Sequence, residues 1–399
     1  MNGTHVGKDS AWLLPDAVEE VLPPAAAELE QLRQTALKIC ATWGYEQVMP
    51  PAIEFLESLL SGVAHDLDLQ TFKITDQMSG RMMGVRADIT PQVARIDAHQ
   101  LKSSGPTRLC YTGAVLRTRP DGLGGSRNPL QMGAELYGHS GIESDVEVIG
   151  LMVSVLQAAG AKNLQIDLGH VGIFRGLVAN AGLDAAAETR LWDALQRKSA
   201  PDLANLLSEL SLQDIECDRI SALVGLNGGR EVLDQAEQQL AGAGGSVQEA
   251  LQSLIAIADL IARWLPSVTL HFDLGELRGY RYHTGVVFAA YVPDVSQELA
   301  RGGRYDAIGA VFGRARAATG FSTDLKALLA LSEVKRVPPQ AIAAPWQVDR
   351  HLWQRVMDLR NAGEIVIWML PNDKTAPEAL GCNRILTKTA DEDWQVEPV

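Results

Sequence analysis

The stretch from Leu116 to Gly138, LRTRPDGLGGSRNPLQMGAELYG, constrains the fold more than any other part of the sequence. It predicts a strand, a loop rich in glycine and proline, and a second strand of alternating character. One face of the second strand carries Gln131 and Glu135, whose backbones lie ~13 Å apart at ~3.3 Å per residue. The pattern favours the floor of a pocket that grips a small polar molecule at both ends. An ordinary hairpin with a solvated polar face has the same pattern.

Two arginines flank the loop of this hairpin. We expect Arg117 to lie on the first strand and Arg127 to lie at the end of the loop. Guanidinium groups bind carboxylates and phosphates through paired N–H donors. The hairpin is therefore expected to supply binding groups for an anion.

Length, composition and charge limit the classes of function. The 399 residues allow two or three domains, and a hydrophobic content of 46% is that of a globular protein. No apolar run approaches ~18 residues and the N-terminus lacks signal-peptide features, so we expect a cytoplasmic protein without a membrane partner. A net charge of −14 disfavours nucleic-acid binding. The four cysteines lack CxxC spacing, so neither a metal site nor a disulfide framework is expected.

Local patterns divide the chain into a long and a short part. We expect residues 1–331 to form a core with a mostly helical insertion at about 170–265. Residues 341–399 predict a small α/β unit with the order β-α-β-β. Within the core, Thr319 to Leu331 predicts a helix that begins near Ser322. Asp88 and Thr90 stand beside another predicted helix start, where plain N-capping is an alternative to a binding role.

Several segments, in this order, resemble the motifs of class II aminoacyl-tRNA synthetases. Within that class the similarity is to histidyl-tRNA synthetase, over roughly residues 10 to 331. The resemblance implies an α+β fold in which a mixed, largely antiparallel sheet is flanked by helices, and a homodimer built through the first motif. The segments are 44–50 (motif 1), 85–90 with Arg95, 117–138 (motif 2), 276–283 (the histidine signature), and 302–306 with 320–321 (the entry to motif 3).

The resemblance implies a pocket for L-histidine. Asp88, Thr90 and Gln131 match the residues that hold the α-amino group, and Arg117 and Arg278 match groups on the carboxylate side. Glu135 matches the acid that contacts the imidazole, which suits a ring that donates N–H and is close to protonation. Tyr282 and His283 end the signature, where the synthetases have two tyrosines.

The chain departs from the synthetases where they bind ATP. Arg119 replaces a glutamate of motif 2, and the loop from Pro120 to Ser126 carries no basic residue. Lys326-Ala327 stands where motif 3 has a glutamate–arginine pair, and Lys326 does not substitute because one helical step turns a side chain by ~100°. The departures imply that aminoacylation is lost, that no residue is catalytic, and that no cofactor is held. Arg119 either binds a phosphate-bearing ligand or sits in a solvated ion pair.

The last part of the chain also departs from the synthetases. Residues 341–399 contain six Lys/Arg against nine Asp/Glu, and the unit is too short and too acidic for anticodon binding. The whole pattern resembles the regulatory subunits of ATP phosphoribosyltransferase, which are catalytically silent paralogues of histidyl-tRNA synthetase. This resemblance implies that the chain forms a hetero-oligomer, in the form of a hetero-octamer, with a short-form catalytic subunit. It also implies that the chain activates that subunit and makes it sensitive to histidine. The alternatives are a divergent synthetase or amino-acid ligase, and a scaffold that binds no ligand.

Overall fold

The computed structural model describes residues 12–60, 65–122, 124–210, 212–276, 279–280, 282–293, 295–331, 340–390 and 393–399. The chain divides into a first unit, Met1–Ser332, and a second unit, Glu333–Val399. Strands and helices are numbered β1–β16 and α1–α13 in chain order.

The first unit is built on a large mixed sheet, which has nine strands within the described residues. All neighbouring strands run antiparallel except the pairs β1–β5 and β7–β9. This architecture confirms the predicted α+β fold with a largely antiparallel sheet. In spatial order the strands are β1 (Glu46–Gln47), β5 (Thr107–Ala114), β6 (Leu130–Tyr137), β12 (Ala318–Asp324), β11 (Val295–Arg304), β10 (Val286–Val292), β7 (Gln165–His170), β9 (Thr269–Asp273) and β8 (Asn227–Gly228).

Helices cover the sheet and form most of the segment between β7 and β9. Among the described residues, none of these helices is both long and apolar enough to cross a membrane. The helices of the first unit are α1 (Ala25–Thr42), α2 (Leu56–Leu59), α3 (His65–Gln70), α4 (Thr90–Arg95), α5 (Ile142–Ala158), α6 (Val171–Asn180), α7 (Ala185–Gln196), α8 (Ala200–Glu209), α9 (Asp214–Gly225), α10 (Glu231–Gln239), α11 (Gly245–Trp264) and α12 (Leu325–Leu329).

The alternation of β6 separates two hydrophobic clusters. Met132 and Leu136 belong to the main core, where they join residues of α5 such as Ile149. Tyr137 belongs instead to a second cluster with Tyr111 on β5. Because successive side chains of a strand point to opposite faces, the face that carries Gln131 and Glu135 lies away from α5. A small sheet with the order β2 (Ile53–Phe55), β4 (Met82–Val85), β3 (Phe72–Thr75) completes the unit.

Two predictions from the sequence were wrong in placement. Arg117 lies beyond the first strand, because the β5–β6 ladder ends at the Ala114–Leu130 pair. Its backbone N–H instead donates to the carbonyl of Arg127. The helix predicted to begin near Ser322 begins at Leu325, since residues 318–324 form a strand paired on both sides, with β11 and β6.

The second unit is a four-stranded sheet within its described residues, 340–390 and 393–399. Its order is β14 (Val366–Met369), β13 (Ala341–Pro345), β15 (Cys382–Lys388), β16 (Trp394–Pro398), and the helix α13 (Arg350–Asn361) follows β13. The sequence prediction missed β16, which is short and ends in a proline. Leu352 and Val356 of α13 pack on the sheet with Trp394 of β16.

A buried ion pair ties β11 to the start of α5. The Arg304 guanidinium lies 3.0 Å from an Asp145 carboxylate oxygen, and both side chains are less than one-tenth exposed. Arg304 also donates to the Ser144 hydroxyl at 2.8 Å and to the Gly141 carbonyl at 3.0 Å. Removing one partner of such a group leaves the other charge buried without compensation.

We expect Arg304→Met to lower the free energy of unfolding by ~3–5 kcal/mol, the cost of breaking a buried ion pair. Urea denaturation measures this change. The control is Arg190→Met, because the Arg190–Glu209 ion pair is more than half exposed and such surface pairs contribute ~0–1 kcal/mol. Equal losses of stability in the two variants would contradict the structural role of Arg304.

Candidate functional site

The sheet face that lies away from α5 is the floor of the candidate site. Strand register places its residues in rows that cross neighbouring strands. One row contains Glu135, and the next, two residues along each strand, contains Arg301. The first row is Leu109, Glu135, Gly320, Gly303, Val287 and Gly169, and the second is Tyr111, Gly133, Ser322, Arg301, Ala289 and Asp167.

Glycines in these rows leave room for the polar side chains. A Cβ atom on Gly320 would overlap the Glu135 carboxylate and would lie 2.7 Å from the Tyr305 hydroxyl oxygen. A Cβ atom on Gly133 would overlap the Tyr111 hydroxyl. Glu135, Tyr305 and Tyr111 therefore lie across the backbones of neighbouring strands, which only glycine permits at these two positions.

A hydrogen-bond network joins four of the predicted histidine-binding residues. The Gln131 amide N–H donates to Asp88 Oδ1 at 2.8 Å, and the Thr90 backbone N–H donates to the same oxygen at 3.0 Å. The Thr90 and Tyr111 hydroxyls are 2.9 Å apart, and Tyr111 donates to Glu135 Oε1 at 3.1 Å. The helix-start residues predicted as possible plain caps thus connect directly to the floor.

Glu135 is the most perturbed acid of this network. Its side chain is 1% exposed, and Oε2 has no hydrogen-bond partner among the described residues. Burial, and then the negative charge of Asp88, raises the pKa of Glu135 well above its usual range. The hydroxyls of Tyr282 and Tyr305 are likewise buried without a described partner. The Glu135 carboxyl group can donate a hydrogen bond in its acid form or accept a proton from a cationic ligand.

A small cavity of about 300 Å³ opens above these groups. Asp88, Thr90, Glu135, Tyr282 and His283 line it, so the structure brings five of the predicted residues together. Its described lining holds five carboxyl groups against one arginine, Arg301, which favours a ligand that carries positive charge. The five carboxyl groups belong to Asp88, Glu135, Asp167, Glu276 and Glu298.

A larger cavity of about 630 Å³ adjoins the small one, and Glu298, Arg301 and Ser322 line both. Gln131 and Arg117 lie here rather than in the small cavity. Arg117 and Glu135 therefore line different cavities, because the chain leaves the sheet after β5 and before Arg117. The prediction that both residues face the same ligand is not supported by a shared cavity. Arg278 lies outside the described residues.

Each cation that lines the described part of the larger cavity is close to an acid of the same chain. Arg117 and Arg301 both contact Asp121 Oδ2, at 3.4 and 2.6 Å. The Lys326 ammonium lies 3.6 Å from Glu19. Four acidic residues (Glu19, Asp121, Glu298, Asp324) line the cavity with these three cations, so its local charge does not favour a polyphosphate.

Sequence reasoning missed Tyr111, Tyr305 and Arg301. The signal for Tyr111 is its register opposite Gly133, which cannot be read without the position of β5. Arg301 precedes and Tyr305 lies within the segment 302–306, for which the sequence indicated only a resemblance to the entry of motif 3. Arg119 is exposed, and within the described residues it has no ion-pair partner, so the solvated ion pair is not observed. Among the described residues, no cluster of three or more His, Cys, Asp or Glu could hold a metal ion.

The raised pKa of Glu135 predicts a pH-dependent stability. A group whose pKa is higher in the folded state stabilises the fold fully below its unfolded-state pKa, near 4.5 for glutamate. That stabilisation is lost as pH rises through the folded-state pKa. We therefore expect the unfolding free energy of the wild type, relative to Glu135→Gln, to fall as pH rises above ~4.5. Urea denaturation between pH 4.5 and 8 checks this, and a relative stability that rises with pH would contradict it.

The sequence model of the family described as "Histidyl-tRNA synthetase" matches residues 17–328. The model described as "ATP phosphoribosyltransferase subunit HisZ C-terminal domain" matches residues 339–397. An ATP phosphoribosyltransferase regulatory subunit from Thioalkalivibrio sulfidiphilus is 55% identical over 386 residues, which are 96% of this chain and 98% of the relative.

Solved structures are similar over most of the chain. An ATP phosphoribosyltransferase regulatory subunit/histidyl-tRNA synthetase from Bacillus halodurans has a TM-score of 0.81 at 26% identity, over 92% of this chain and 95% of that one. A chain of the ATP phosphoribosyl transferase (HisG:HisZ) complex from Thermotoga maritima has a TM-score of 0.58 at 16% identity, over 77% and 98%. The second likeness concerns the fold alone.

Proposed function

This chain belongs to the family of ATP phosphoribosyltransferase regulatory subunits, and we propose that it activates a short-form catalytic subunit and makes that subunit sensitive to L-histidine. The observation that carries the proposal is the small acidic cavity with the buried carboxyl group of Glu135 at its floor. A regulatory subunit that senses histidine through its own cavity needs groups that distinguish histidine from other amino acids. Glu135 supports this role because it can exchange a hydrogen bond with an imidazole ring.

In this proposal the imidazole lies against Glu135. A raised pKa makes the acid neutral over a wider pH range, and histidine carries a ring that titrates near pH 6.5. One proton shared between acid and ring leaves no uncompensated charge in the buried site. The hydroxyls of Tyr282 and Tyr305 have no hydrogen-bond partner in the described part of the chain; both residues line the same cavity and would fix the ring orientation.

The α-ammonium group is assigned to the acidic end of the hydrogen-bond network. Asp88 and Thr90 line the small cavity, and Gln131 holds Asp88 in place from the side of the larger cavity. A carboxylate and a hydroxyl are suitable acceptors for an ammonium group with three N–H donors. Asp88 and Thr90 would contact the ligand, and Gln131 would act through Asp88.

The larger cavity supports a function without ATP-dependent activation. Class II chemistry depends on cations that stabilise a polyphosphate during the reaction. Ala327 provides no such cation, and the lysine and arginines of the cavity contact acids of the same chain. We propose that the chain retains amino-acid binding and lacks adenylation, which argues against the synthetase and ligase alternatives.

Regulation by histidine then follows from thermodynamic linkage. Histidine inhibits only if it binds more tightly to a less active state of the hetero-oligomer than to the active state. We propose a cytoplasmic assembly in which the chain forms homodimers through residues 44–50, within a hetero-octamer. Apolar side chains in and beside this segment, Trp43, Met49 and Ile53, are 38%, 78% and 44% exposed and support an interface there.

The direct test measures phosphoribosyl-ATP formation by a short-form catalytic subunit with and without this chain and with and without L-histidine. We expect the chain to raise turnover and histidine to lower the turnover of the mixture. The control is histidine added to the catalytic subunit alone at the same concentration. Neither activation nor added histidine sensitivity would contradict the proposed function.

The absence of adenylation has a separate test, histidine-dependent exchange of pyrophosphate into ATP. We expect exchange at the background rate, because loss of one charge-stabilising donor alone lowers rates by ~10²–10³-fold. An active histidyl-tRNA synthetase assayed in parallel is the positive control. Exchange well above background would favour the synthetase-like alternative.

A further inference from the structure

An amino acid in the small cavity needs a partner for its α-carboxylate. The described lining is otherwise rich in acids, which would repel that group. Arg301 is the cation that lines this cavity among the described residues, apart from a charge that His283 gains on protonation. Of the two residues that the resemblance assigns to the carboxylate side, Arg117 lines the larger cavity instead, and Arg278 lies outside the described residues.

We propose that Arg301 binds the α-carboxylate of the ligand and thereby selects amino acids over amines, an inference that rests on the proposed histidine site. Arg301 lies on β11, two strands from Glu135 on β6, and one row away along the strands. With ~4.8 Å between strands and ~6.7 Å between rows, the two backbones are ~12 Å apart. Both side chains extend from the same face of the sheet, so the space between them suits one molecule the size of an amino acid.

Two acids orient the Arg301 guanidinium without using all of its donors. Nη1 donates to Glu298 at 3.0 Å and Nη2 donates to Asp121 at 2.6 Å. A guanidinium has five N–H groups, so donors remain for a carboxylate. A side chain held in this way loses little further conformational entropy when it binds a ligand.

Its position between the two cavities supports a selective role for Arg301. The side chain is about half exposed, so a ligand can reach it. Arg301 pairs with Ser322 on β12, which also lines both cavities and leaves space beside the guanidinium. The ligand would then be gripped at its ring by Glu135, at its ammonium by Asp88, and at its carboxylate by Arg301.

The test compares L-histidine with L-histidinol, which carries a hydroxymethyl group in place of the carboxylate. Calorimetry on the full-length chain gives both dissociation constants for the wild type and for Arg301→Gln. We expect Arg301→Gln to weaken histidine ~10- to 100-fold, the range for a charge-assisted hydrogen bond, and to change histidinol less than ~3-fold. Arg301→Lys, which keeps the charge, should retain part of the preference for histidine.

Arg117→Gln, in the larger cavity, tests the competing assignment of the carboxylate contact. We expect it to leave the ratio of the two dissociation constants unchanged. Equal weakening of both ligands by Arg301→Gln would assign Arg301 a structural role, and loss of the preference in Arg117→Gln instead would move the carboxylate contact to Arg117. Should Arg301→Gln not fold, Arg301→Lys decides the question. A preference for histidine over histidinol equal to that of the wild type, or an equal loss of affinity for both ligands, overturns the inference. If the wild type binds neither ligand, the histidine site itself is wrong, and Arg301 has no carboxylate to bind.

Discussion

A carboxyl group in the middle of a sheet is the constraint on which the rest of the site depends. An ionised and unpaired carboxylate is very unfavourable away from water, so Glu135 requires a raised pKa, a hydrogen bond or a cationic partner. The chain provides the first two through burial and Tyr111. Space for the side chain comes from Gly320 on the neighbouring strand. Within the described part of the chain Oε2 has no hydrogen-bond partner, and Glu135 lines the small cavity, which fits a site adapted to a ligand rather than to stability.

The same sheet face supports two cavities with different electrostatics. In the small one, four carboxyl groups besides Glu135 favour a negative potential, which suits an ammonium group and a protonated imidazole. In the larger one, acids such as Asp121 and Glu19 lie close to the cations. On our proposal, this division allows a synthetase-like fold to bind an amino acid without activating it. Neutralisation within the chain replaces the cationic surface that a polyphosphate requires.

Periodicity predicted the parts of the site that depend on one strand at a time. The alternation of β6 placed Gln131 and Glu135 on one face, because the side-chain period of a strand does not depend on its neighbours. Contacts between strands were not predictable in the same way. Tyr111 contacts Glu135 through the register of β5, and all of β5 lies upstream of the segment 116–138 that was assigned to the hairpin.

Tertiary pairing also explains the wrong predictions. Residues 318–324 contain residues compatible with a helix start, but ladders on both sides make them a strand. The division of Arg117 and Glu135 between two cavities depends on where β5 ends, which is set by the last pair of its ladder with β6. The histidine assignments made by resemblance, including Arg278 outside the described residues, stay predictions.

The central claim is that Glu135 recognises the imidazole of L-histidine. A calorimetric titration of the wild type and of Glu135→Ala with L-histidine tests this claim most directly. Our account predicts binding to the wild type and an affinity ~10- to 100-fold weaker in the variant, from the loss of a buried charge-assisted hydrogen bond. Near-ultraviolet circular dichroism should show that the variant keeps its fold. Unchanged affinity in a folded Glu135→Ala variant would contradict the account.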